Sequence, residues 1–363
     1  MGNTIICGID AHEKTLVTRI GVNQEAAETK RFSNTRSGRE ALFNYLKKLS
    51  GEYAGGKMVM AYEASTLGFG IYDESVASGI ECHILAPTKM PTARKDRKKK
   101  TDERDAQRVF EIVRAYALAG NELPRIWIPD HQTRDDREVV RGRLDAAQKL
   151  TGLKCQVQTL LKRTGVVKPA EAGDSWTQRY RLWLKQLCIK PGAQIALQSL
   201  LRQIEGMEEE IKILDQAVEQ LAEGERYKAV AGALVREVKG VGLLTAMVYV
   251  TEMGDLSRFN NRKQVGSYLG LVPSSNESGE VADHKGHITR EGSARVRKVL
   301  CQATWARVAH DKEEAVVYQR LVKKNPKHKK IAVVASMRRL GVLLWHIGLA
   351  AQKEAVAVKE QAA

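Results

Sequence analysis

Four carboxylates stand where a nucleic-acid-cutting metal site would need them: Asp10, Glu63, Asp102 and Asp105. Asp102 and Asp105 are three residues apart in a segment that reads as helix from Asp102 to Ala119, so both project from one helical face. Asp10 ends the apolar run Thr4–Ile9, and Glu63 ends the run Lys57–Tyr62. Parallel strands in an α/β sheet bring their carboxyl ends to one edge, where such sheets place their sites. Four acids gathered there repel one another without cations. Two Mg²⁺ ions roughly 4 Å apart would neutralise them and clamp the attacking and leaving oxygens of a phosphodiester. Just before Asp102, six residues of the stretch 94–100 are basic (Arg94, Lys95, Arg97, Lys98, Lys99 and Lys100), a patch suited to holding phosphates. Asp102 alone would be as consistent with favouring its helix N-terminus. The set of four beside that patch points to chemistry.

The elements that must deliver these acids can be read from periodicity. Thr4–Ile9 is a buried strand and Thr15–Ile20 alternates as its half-buried partner, with a polar turn from Asp10 to Lys14 between them. Ser37–Leu49 carries apolar residues at helical spacing, Lys57–Tyr62 is a strand, and Cys82–Ala86 is another, stopped by Pro87. A hairpin followed by βαβ units implies a mixed sheet with helices on its faces. Gly8-Ile9-Asp10 also opens the nucleotide sheet of actin-like ATPases and sugar kinases. Those follow the Asp with a small turn, whereas Ala11-His12-Glu13-Lys14 follows here.

Farther along, Leu197, Leu200, Ile204, Met207, Ile211, Leu214, Val218 and Leu221 step by three and four residues, the seam of a coiled coil. An earlier stretch from Val140 to Leu160 is similar, and Gly165–Gly173 reads as a connection. An antiparallel helical hairpin or an oligomerisation arm is expected. From Arg236 the pattern changes. Gly240 and Gly242 flank Val241 in a turn opening an apolar helix, a place where backbone N–H groups can meet a phosphate; two glycines packing between helices is the plainer alternative. Ser274–Gly292 reads as a polar loop, and Arg295, Arg297 and Lys298 begin another helix.

Composition narrows the partners. The 363 residues hold 59 Lys and Arg against 43 Asp and Glu, a net charge of +16, which favours a polyanion. The longest apolar run, Leu340–Ala351, is too short to span a bilayer, so no membrane is expected. The opening residues read directly into a strand without the pattern of a signal peptide, so none is expected. Five scattered cysteines never form a CxxC pair, which argues against a disulfide frame or a zinc site and for the cytoplasm.

The residues Gly8-Ile9-Asp10 with Lys14, Tyr62-Glu63-Ala64-Ser65, Lys100-Thr101-Asp102 with Asp105-Ala106, Val241-Gly242, and Tyr268-Leu269-Gly270-Leu271-Val272-Pro273 followed by Glu277-Ser278-Gly279 run in a fixed order along nearly the whole chain. In them the sequence resembles the DEDD-type transposases of the insertion sequence 110 family, the bridge-RNA-guided recombinases. The resemblance implies an α/β, RNase H-like (RuvC-like) domain over residues 1–132 carrying Asp10, Glu63, Asp102 and Asp105. It further implies a helical coiled-coil region over 133–230 and a mainly helical transposase domain over 231–350, with a helix-hairpin-helix-like turn and a serine nucleophile. Residues 351–363 read as a flexible tail. The Glu-Ser-Gly match assigns the nucleophile to Ser278, with Ser274 and Ser275 close by. Lys285, Arg290, Arg295 and Arg297 would then contact phosphate. The implied partners are donor and target DNA, a structured guide RNA and further copies of the chain as a dimer or tetramer. Two competing classes are a Holliday-junction-type endonuclease, which would leave free ends without strand transfer, and a nucleic-acid binder indifferent to Mg²⁺ and to Asp102→Ala.

Overall fold

Strand β1 (Thr4–Ala11) lies at the centre of a five-stranded sheet because its apolar run can be buried on both faces. On one side it pairs antiparallel with β2 (Thr15–Val22), which pairs antiparallel with β3 (Glu28–Ser33). On the other it pairs parallel with β4 (Lys57–Glu63), which pairs parallel with β5 (Glu81–Leu85). The order is β3-β2-β1-β4-β5. This computed structural model describes residues 2–91, 101–278, 281–324 and 326–362. The chain divides into two compact units, Met1–Ile128 and Pro129–Ala363.

In the first unit α1 (Arg36–Glu52) and α2 (Gly70–Ala77) make the crossovers into β4 and β5. The two sheet faces are distinct. Ile5, Cys7 and Ile9 of β1 and Met60 and Tyr62 of β4 pack with Leu42, Phe43 and Leu46 of α1. Ile6, Val59 and Ala61 face the opposite way, onto Val109, Phe110 and Val113 of α3 (Asp102–Ala119). The helix expected from Asp102 to Ala119 has those bounds. Strand β3 carries no periodic signal, because Glu28–Ser33 is polar at an edge that stays half exposed.

The second unit opens with two 33-residue helices, α4 (His131–Arg163) and α6 (Pro191–Glu223), joined through the short α5 (Gln178–Gln186). They run antiparallel. Arg143 pairs with Asp215 at 2.6 Å and Lys154 with Glu208 at 3.4 Å, and at the far end Val157 and Leu161 pack with Leu197. Helices α7 (Lys228–Glu237), α8 (Leu243–Met253), α9 (Arg262–Tyr268), α10 (Ala294–His310), α11 (Lys312–Lys324) and α12 (Lys329–Ala362) follow. Helix α8 is buried at every residue from Ala246 to Met253, with Glu252 paired to Arg141 at 2.8 Å, the mark of a central core helix.

Two expectations are corrected here. Described residues within Ser274–Gly292, read as loop, form an antiparallel pair, β6 (Pro273–Ser278) with β7 (Val281–Ile288). The sequence of β6 is polar after Pro273, and that of β7 has Asp, His, Lys and Gly between its apolar ends, so no apolar alternation betrays them. The segment read as a flexible tail continues α12 to Ala362. By length and composition Lys329–Val358 would suffice to cross a membrane, more than the Leu340–Ala351 run alone implied. Its Met337, Leu340, Leu344 and Trp345 instead belong to the core around α8.

Candidate metal site and basic segments

A glycine sets the geometry. A Cβ on Gly8 would lie 2.2 Å from the Phe110 backbone nitrogen and 2.6 Å from the Ala106 carbonyl, so the backbone of α3 rests directly on β1 at this point. Ala106, Val109, Phe110 and Val113 bury the helix against the sheet, and its first turn, with Asp102, Glu103 and Asp105, is thereby carried to the ends of β1 and β4. Strand alternation does the rest. Asp10 lies two residues beyond Gly8 and Glu63 two beyond Ala61, so both belong to the face that α3 covers. The last parallel pair is Ile9 with Tyr62, which makes Asp10 and Glu63 the next neighbours.

The resulting cluster is asymmetric. The Asp10 Oδ2 and His12 Nε2 atoms are 3.1 Å apart, and that nitrogen is 3.5 Å from Asp102 Oδ1. One ligand atom from each of Asp10, His12 and Asp102 lies within 4.8 Å of the others. Burial raises the Asp10 carboxyl above its ordinary pKa; His12 opposes this, while the charges of Asp105 and Asp102 add to it. Asp105 is thus close enough to repel Asp10. Glu63 is engaged differently, by the Nη2 of Arg108 from the second turn of α3.

Two carboxylates and an imidazole at these separations fit a divalent cation. Carboxylate oxygens are the donors Mg²⁺ prefers, so Asp10 and Asp102 would be the residues to hold it. His12 and Arg108 were not singled out from sequence, although the signals existed: His12 is two residues past Asp10 and Arg108 three past Asp105, each on its neighbour's face.

The expected phosphate contacts vary in setting. Arg94, Lys95, Arg97, Lys98, Lys99 and Lys100 lie outside the described residues. Gly240 adopts a left-handed φ of 79° and packs on α10, where a Cβ would meet the Arg307 nitrogen at 3.1 Å. Gly242 is exposed and caps α8, with open space where a Cβ would point. The backbone of Ser278 pairs across the hairpin with Val281, and that of Lys285 with Ser275. The Ser274 hydroxyl donates to the His287 carbonyl at 3.0 Å. Arg290 is exposed, whereas Arg295 pairs with Asp145 at 3.1 Å. Arg297 donates to the Gly292 carbonyl at 2.6 Å, and burial, with Arg290 nearby, lowers its pKa.

Known proteins resemble the chain along most of its length. Residues 7–166 match the DEDD transposase family model for insertion sequence 110, and residues 232–319 match the transposase IS116/IS110/IS902 family. Of the curated relatives, y4rJ of Sinorhizobium fredii, which bears a transposase name, is 30% identical over 311 residues, covering 79% of this chain and 76% of that protein. A second Sinorhizobium fredii protein with such a name, y4qE, is 29% identical, covering 82% and 70%. The transposase for insertion sequence element IS1533 of Leptospira borgpetersenii is 24% identical, covering 84% and 86%.

Proposed function

Because the chain belongs to the IS110 family of transposases, DNA-cutting and rejoining enzymes of mobile elements, we propose that it moves DNA strands with a metal-holding acid site and a serine nucleophile. The observation that carries this reading is the convergence of Asp10 and Asp102, 92 positions apart, with His12 inside the span of one cation. The sheet order, two antiparallel steps and then two parallel ones with an acid at the end of each inner parallel strand, supports an RNase H-like domain.

In this reading Asp10 and Asp102, with Asp105 and Glu63 beside them, hold Mg²⁺. The ion, when bound, neutralises charge that develops on a scissile phosphate. The chain's residues do the remainder. Basic residues from Arg94 to Lys100, with Lys285, Arg290, Arg295 and Arg297, hold the strands by their phosphates. The turn at Gly240 and Gly242, placed between α7 and α8 like a helix-hairpin-helix, adds backbone N–H contacts. The Ser278 oxygen attacks phosphorus and displaces a deoxyribose oxygen, which takes up a proton as the serine hydroxyl releases one. The phosphoserine conserves the bond energy until a second strand's hydroxyl attacks and frees the serine. A structured guide RNA selects the sites by pairing, and copies of the chain associate through the long α4–α6 pair in the cytosol.

Ser278→Ala tests this. The variant should bind DNA as wild type does yet form no covalent protein–DNA adduct on a denaturing gel. An adduct that survives would reject this serine and turn attention to Ser274 or Ser275. Free-ended products with no adduct from the wild type would favour the junction endonuclease.

A further inference from the structure

Two antiparallel helices can be joined by a turn of about 2–5 residues. Between α4 and α6 stand residues 164–190 instead, and they are folded rather than slack. Tyr180 and Leu184 are buried against Val157, Leu161 and Leu197 of the two helices. Trp176 is held at a left-handed φ of 71°, with the Tyr180 ring crossing it 5.6 Å away and the Lys154 ammonium 5.3 Å from its centroid. A bulky residue keeps such a backbone only where its surroundings enforce it. The helical pair thus ends in a built cap, and the cap is basic. From Lys162 to Lys190 there are seven Lys and Arg against Glu171 and Asp174. Arg181 is taken by Glu208 at 2.6 Å and Lys185 by Glu205 at 2.7 Å. Lys162, Arg163, Lys168, Arg179 and Lys190 are exposed, and none meets a carboxylate among the described residues. Helix stability accounts for two of them, since Lys162 and Arg163 lie in the last turn of α4, where a cation suits the dipole. Lys190 stands at the start of α6, the end that a cation disfavours.

We propose that this cap is a docking surface for duplex DNA, which it grips by the phosphates at a place apart from the contacts assigned above. Uncompensated cations on a fixed support complement a polyanion, and phosphate contacts of this kind position a duplex without reading its bases. The spacing suits one segment of duplex. Arg295, a phosphate contact in the reading above, pairs with Asp145 of α4, and from Asp145 to Lys162 the helix rises about 25 Å at 1.5 Å per residue. That is about seven base-pair steps, less than one turn, so DNA lying along α4 meets both patches. The proposal rests on the DNA-handling part of that reading and is independent of the metal and of Ser278.

The test is the salt dependence of binding. Full-length protein without Mg²⁺, so that no strand is cut, is titrated onto a fluorescent DNA duplex of about 30 base pairs at several KCl concentrations. Each phosphate contact adds about 0.9 to the slope of log affinity against log salt. Replacing Lys162, Arg163, Arg179 and Lys190 together by Gln should make that slope shallower by about 2 or more and weaken binding at least about tenfold near 150 mM salt. Replacing Glu171 and Asp174 by Gln should tighten binding instead, and this second variant keeps every cation of the cap. A charge-matched variant with Gln at the exposed Lys47, Lys48, Lys228 and Lys353 should keep the wild-type slope to within about 0.5. The proposal is overturned by a cap variant with the wild-type slope, by an equal loss in the charge-matched variant, or by no tightening in the Glu171 and Asp174 variant. A loss seen with an RNA duplex of the same length and not with DNA would overturn the assignment to DNA. Wild type that binds no duplex DNA at all would reject the DNA-handling reading along with the cap.

Discussion

Asp10 shows how a site residue can work against the fold that carries it. Burial and the charges of Asp105 and Asp102 disfavour its ionised form, so without a cation the cluster holds charge under repulsion. Asp10→Asn should therefore raise the metal-free thermal midpoint, abolish the further rise given by Mg²⁺, and lower strand cleavage by about 100-fold or more, since metal contributes several kcal/mol and each 1.4 is a factor of ten. A midpoint that still climbs with Mg²⁺ in this variant would count against Asp10 as a ligand. Glu81 behaves in the opposite sense. Burial alone would raise its carboxyl, but hydrogen bonds from Lys57, His83 and Tyr116 outweigh that and hold it at about 2, against an ordinary 4.5. A depressed folded-state value stabilises above the ordinary one and is lost as pH falls through the folded one. Thermal melts should show stability declining from pH 4.5 toward 2, and Glu81→Gln should make that decline shallower. The acids of the site were legible because Asp-x-x-Asp on a helix and acids closing apolar runs are spacing signals. His12 and Arg108 had none until strand alternation and helical turn were applied around those acids.

At the scale of elements, the contact between α3 and β1 decides whether the acids meet. Gly8→Ala would drive a Cβ into backbone atoms at 2.2 and 2.6 Å, which cannot rotate aside as a side chain could. Overpacking of this kind costs about 1–3 kcal/mol, so the midpoint should fall by several degrees, and cleavage should fall further because the first turn of α3 moves off the strand ends. An unchanged midpoint with full activity would show that α3 is not seated as described. Helix α3 was legible to the residue, since Ala106, Val109, Phe110 and Val113 recur at helical spacing behind an acidic first turn. Strand β3 and the hairpin of β6 and β7 were not. Their sequences are mostly polar, and pairing with a neighbour, which leaves no trace in the local pattern, is what makes them strands.

For the molecule as a whole, the net charge of +16 pointed to a polyanion before any element was placed. The two long helices were also foreseeable, because an apolar seam three and four residues apart runs from Leu197 to Leu221 within the 33-residue α6. How far α12 extends was hidden by its Ala, Glu, Lys and Val composition, which suits a helix as well as a frayed end. What the account asks of the whole chain is a divalent cation held at one edge of one sheet. A crystal structure of the full-length protein soaked in MnCl2, with anomalous data, measures this most directly. The account predicts an anomalous peak about 2.1–2.2 Å from carboxylate oxygens of both Asp10 and Asp102, near the spacing hard cations adopt. A peak elsewhere on the chain, or none within reach of these two acids, would contradict it.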